Sequence, residues 1–124
     1  MSARTVTLQT IDHGAVTVIE PGWCQGHAGE PPVYRSDITH NSMTVKATAA
    51  TGSRGRVQLL QACISHAPYL ELHSEPHPVV SVQLDCVEDF TAEDIPQLLE
   101  GLRSAERVLK FVAAEAIRLR GDGR

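Results

Sequence analysis

No apolar run in this chain approaches the roughly 18 residues of a membrane span. The opening residues, Met1-Ser2-Ala3-Arg4-Thr5, lack the apolar block of a signal peptide, so the expected compartment is the cytoplasm. Cysteine is sparse and odd in number: Cys24, Cys63 and Cys86 are no disulfide framework. Cys63 and Cys86 lie in or at the end of apolar, strand-like runs and read as buried thiols acting as small hydrophobes. Basic charge is also in deficit. Eleven Lys and Arg stand against fifteen Asp and Glu, for a net charge of −4 and a pI near 5.8. That balance argues against a nucleic-acid binder, which presents a basic patch. There is no internal repeat, no low-complexity segment, and no GxGxxG, P-loop, GxSxG or HExxH.

What is present suffices for a stable fold. At 124 residues with 42% apolar content, one domain is expected. A chain of that length buries roughly two thirds of its unfolded surface and needs no disulfide. The basic residues are scattered, with Arg118, Arg120 and Arg124 gathered at the end, where they compensate a helix dipole and solvate a tail.

Alternation of polar and apolar residues predicts strands at 5–10 and 15–19, joined by the turn Asp12-His13-Gly14. Residues 21–42 are too rich in Gly and Pro for a regular element. Alternation resumes over 43–49, and 57–65 is apolar on both faces, as in a central strand covered wholly or partly on both sides. Further strands are expected at 69–73 and 79–84. The C-terminus predicts a helix from 92 to about 120. Thr91 stands as N-cap, Asp94 in a capping-box position, and Phe90 and Ile95 at the staple positions. An apolar stripe from Ile95 through Leu98, Leu99, Leu102, Ala105, Leu109, Val112 and Ala113 to Ala116 faces a core, and Gly101 and Ser104 are places where the helix could bend or break. The expected fold class is α+β: an antiparallel sheet of about five to six strands with one long or broken amphipathic C-terminal helix packed on one face. Its parts are an N-terminal hairpin (1–20), a Cys/His loop (21–42), the sheet (43–85) and the helix (91–120).

The loop carries the chemistry. It holds the only Trp, one Cys and two of six His, in Trp23-Cys24-Gln25-Gly26-His27 and Asp37-Ile38-Thr39-His40. A long ordered loop must be held by something. Cys24 and His27 have the x2 spacing of a zinc knuckle, and thiolate and imidazole are good zinc ligands. The candidate metal ligands are therefore Cys24, His27 and His40, with Asp37 as a local fourth; His66, His73 or His77 are alternatives from the sheet. The competing reading has Cys24 packed beside Trp23 with both His exposed or hydrogen-bonded. Cys24 as a thiolate nucleophile with a His base is a further alternative. Asp85, Glu88 and Asp89 read as favourable charge ahead of a helix N-terminus.

The Pro21-x-Trp23-Cys24, His27, Asp37-x-x-His40 segment, followed by a β-rich middle and an Ala/Leu-rich helix, resembles a family of small uncharacterised actinobacterial domains of unknown function. The resemblance implies a bacterial cytosolic origin and no particular activity. Taken together, the residues favour a non-enzymatic binding or regulatory module whose loop is pinned by zinc and displays Tyr34 and Arg35, residue types enriched at interfaces. Its partner would be another protein or a second copy of the chain, not a membrane. The alternative is a small hydrolase or transferase using a metal-bound water or the Cys24 thiolate.

Overall fold

The computed structural model describes residues 4–52, 54–85 and 89–121. It forms two antiparallel sheets and one long helix, an α+β arrangement. Strand β1 (Arg4–Thr10) pairs with β2 (Gly14–Glu20) in a hairpin. The second sheet is built on β5 (Gly55–His66). On one edge β5 pairs with β4 (Val45–Thr51) and, further along, with the two-residue β3 (His40–Asn41); on the other it pairs with β6 (Val79–Leu84). Helix α1 (Ile95–Gly121) lies across this sheet.

The alternation read from the sequence sets the faces. Ala47 and Ala49 of β4 and Leu60, Ala62 and Ile64 of β5 turn inward at every second position. They meet Ala105, Val112, Ala116 and Leu119 of α1, with Trp23, Val45, Val80, Val108 and Leu109 packed around them. Small residues on both sides bring helix and sheet close. Gly101 does not break the helix; it is buried at the tightest approach, where an added Cβ would stand 2.7 Å from the Cβ of Ala49 and 2.9 Å from the Thr48 carbonyl oxygen. The buried stripe is narrower than expected: Ile95, Leu99 and Leu102 lie on its exposed flank.

Three local expectations are corrected. Residues 69–73 form no strand; flanked by Pro68 and Pro76 they run as turns and bends with Leu72 exposed, while both edges of β5 are already paired. The Thr91 side chain makes no cap bond. Asp94 is buried and accepts from the Gly52 amide at 3.0 Å, so it ties the β4–β5 turn to the start of the helix instead of closing a capping box. Cys63 is half-buried, as a packed thiol would be, whereas Cys86, Glu88 and Arg124 lie outside the described residues. Among the described residues no helix is long and apolar enough to cross a membrane.

Candidate metal centre

Residue 20 ends β2, and the period of that strand turns Val16, Val18 and Glu20 to one side. An inward carboxylate needs partners, because a buried charge is costly unless paired. Glu20 is 3% exposed. Its Oε2 accepts from Arg4 across the hairpin at 3.0 Å, which leaves Oε1 for the other side.

The chain then turns through Pro21-Gly22, where the Cys24 amide donates to the Pro21 carbonyl at 3.1 Å. Trp23 packs against the core beneath the helix C-terminal half and anchors the turn. Gly26 takes φ +102°, a conformation that favours glycine, and its amide points at Cys24 Sγ, 3.4 Å away. The Gln25 amide donates to the Asn41 carbonyl at 2.9 Å, joining this turn to β3. His40 arrives on β3, opposite His66 of β5.

These constraints place four donors together. Glu20, Cys24, His27 and His40 each offer one ligand atom, and all four atoms lie within 4.8 Å of one another. Glu20 Oε1 is 2.6 Å from His27 Nε2, 3.4 Å from Cys24 Sγ and 3.8 Å from His40 Nδ1; Cys24 Sγ is 3.7 Å from His27 Nε2. Zinc bonds of about 2.0–2.3 Å set tetrahedral ligands roughly 3.3–3.8 Å apart; the Cys24–Glu20, Cys24–His27 and His40–Glu20 separations have those dimensions, while Glu20 and His27, in hydrogen-bond contact at 2.6 Å, would have to part for both to hold an ion. The two imidazole rings stand edge to face, 5.4 Å apart. His27 Nδ1 meets Glu30 Oε1 at 3.0 Å, an outer carboxylate that fixes the ring with Nε2 toward the cluster.

His40 is the anomaly that calls for a ligand. It is 1% exposed, yet among the described residues neither ring nitrogen has a hydrogen-bond partner. The 3.8 Å to Glu20 is too long for a hydrogen bond. Burial, reinforced by His27, holds its pKa below the ordinary imidazole range, which favours the neutral ring with one nitrogen lone pair to offer. Burial likewise pushes the Cys24 thiol up, the opposite of what a free thiolate nucleophile needs.

Three of the four residues singled out in the sequence, Cys24, His27 and His40, are brought together. Asp37 is not among them. It sits in a single 3-10 turn (Arg35–Asp37) on the wall of a neighbouring groove. His66 Nε2 donates to the Glu75 carbonyl, 2.7 Å away, and His73 and His77 are exposed on the irregular segment before β6. The fourth donor, Glu20, was hidden by ending the strand one residue early. Its period-two position, four residues before Cys24, was the available sign.

No curated protein and no solved structure matches the chain significantly. A family model matches residues 5–118, nearly the whole chain, and the chain therefore belongs to that family, the domain of unknown function DUF6907.

Proposed function

We propose that the chain is a non-enzymatic binding module whose 21–42 loop is pinned by a zinc ion held by Glu20, Cys24, His27 and His40. The observation that carries this reading is His40, fully buried with two unpartnered nitrogens among three other donors. Such a group costs on the order of 1–3 kcal/mol if nothing satisfies it. A mixed set of one thiolate, two imidazoles and one carboxylate suits zinc better than the hard, all-oxygen cations.

Four protein donors complete a tetrahedron and leave no position for a reactive water, which favours a structural role over the alternative of a small hydrolase or transferase. The ion would join three parts of the molecule at one point: the end of the hairpin, the loop and the edge of the second sheet. Zinc analysis of the purified, untagged protein tests this. About one zinc per chain, lost together with melting temperature in Cys24→Ser and His40→Gln, is the expected result. Absence of zinc after refolding in its presence, or a Cys24→Ser protein that melts unchanged, would overturn it.

A further inference from the structure

A groove of about 540 Å³ runs beside β1, within the size range of ligand sites. It is lined by three consecutive strand residues, Thr7, Leu8 and Gln9. Because side chains alternate across a strand, three in a row mean that the groove faces the edge of β1 and not one of its sides. The inner edge of β1 is paired to β2. The outer edge touches the chain at one point: Thr10 bridges Val33 in parallel, and the Ile11 amide donates to the Val33 carbonyl at 2.9 Å.

That bond fixes which groups look outward. With Ile11 N–H on the outer side, the antiparallel alternation puts the N–H and C=O of Gln9 and Thr7 there too. Extending the parallel pairing by one rung would require an N–H at residue 31 to donate to the Thr7 carbonyl. Residue 31 is proline and so is residue 32, and neither has an N–H to give. The chain's own segment therefore cannot complete the ladder, and among the described residues no bond engages the Thr7 backbone on this side. An unpaired edge of this kind is a template for another strand. The groove is also lined by the apolar Pro31, Val33 and Ile38 and by the acidic Glu30 and Asp37, and among the described residues no Lys or Arg lines it.

We propose that this groove receives an extended peptide of a partner protein, added as a strand on the outer edge of β1 at Thr7, with a basic side chain set against Glu30 and Asp37. Main-chain bonds would supply affinity and the acidic wall the preference for a cation, the usual division in strand addition. The inference rests on the binding-module reading, but the edge is laid out by β1 and Pro31 and does not need the ion.

The test begins by panning a random dodecapeptide display library over the full chain. Recovered sequences are then titrated as synthetic peptides into wild type and variants by calorimetry. Thr7→Pro removes the outward donor while sparing the β1–β2 ladder, since Thr7 N–H points away from β2. Expected are peptides rich in Lys or Arg that bind at least tenfold more weakly to Thr7→Pro and several-fold more weakly to Asp37→Asn. Thr17→Val, which removes only the hydroxyl contact of Thr7 with Thr17, should bind as wild type does. Hydrogen exchange on the wild-type complex should show slowed Thr7 and Gln9 amides, and it decides the matter if the Thr7→Pro hairpin does not form. Failure to recover any peptide, equal binding to Thr7→Pro, or unprotected Thr7 and Gln9 amides would overturn the proposal. So would a concentration-dependent dimer abolished by Thr7→Pro, which would make the occupant a second copy. Zinc content measured on the same samples keeps the two readings apart: a zinc-loaded protein with no peptide at β1 sinks only this inference, and a zinc-free one that binds at β1 sinks only the metal.

Discussion

Glu30 Oε1 stands 3.0 Å from Nδ1 of His27, on the far side of the imidazole from the nitrogen that faces Glu20 and Cys24. With zinc bound, Nδ1–H would donate to this carboxylate and Nε2 would turn its lone pair to the ion. Glu30→Gln should leave the fold intact and weaken zinc binding by about 10–100-fold, the usual cost of losing an outer carboxylate. Competition against a chelator of known affinity measures it, with circular dichroism as the control for folding.

Zinc binding should depend on pH with a definite sign. In the metal-free chain burial keeps the Cys24 thiol protonated at neutral pH, so binding the ion must expel that proton. Apparent affinity should therefore rise with pH, by about tenfold per unit between roughly pH 7 and 8. Calorimetry in buffers of different ionisation enthalpy counts the protons released, and Cys24→Ser should flatten the slope.

Removing the metal should act locally before it acts globally. The hairpin meets the 21–42 loop at the cluster, at the Thr10–Val33 bridge and through Asp12, which accepts from the Arg35 amide, whereas β4, β5, β6 and α1 share their own core. Chelation should expose residues 21–42 to protease while amides of β5 and α1 stay protected. Limited proteolysis read by mass spectrometry, beside hydrogen exchange, checks both halves of that statement.

Gly101→Ala tests the helix–sheet approach. Alanine is the better helix former by about 1 kcal/mol, yet its methyl would sit 2.7 Å from the Ala49 Cβ. Overpacking of that kind costs about 1–3 kcal/mol, so the variant should be destabilised in urea despite its propensity. Ala49→Gly in the same chain should recover part of the loss.

Much of this architecture was legible in the sequence because it rests on local periodicity. The alternation around Ala47, Ala62 and Val80 and the stripe through Ala105, Val112 and Ala116 mark faces without knowledge of neighbours. What was hidden depends on contacts between distant segments. Asp94 looked like half of a capping box until Gly52, forty-two residues away, supplied its donor. Leu72 looked like a strand residue, but residues 69–73 pair with no strand edge. Glu20 falls one residue beyond the strand predicted at 15–19, and only the return of His40 on β3 reveals what it faces. Asp37, nearest to His40 in sequence, is turned to the groove because the 3-10 turn at Arg35–Asp37 and the following extended residue send the two side chains to different places.

The two hairpin turns share one device. Thr10 Oγ1 donates to the Gly14 carbonyl and accepts from the His13 amide; Thr51 Oγ1 does the same with Gly55 and Arg54, and both glycines take positive φ. Each turn thus carries its own register and can form on the microsecond scale of isolated hairpins. The cluster has no such autonomy: His40 reaches it only after β3 has docked on β5, closing the twenty residues that separate it from Glu20. Capture of the proposed ion would then be a late event, a seal placed on a chain whose sheets have already found each other, and a population selected for bound metal would be one selected for completed folding.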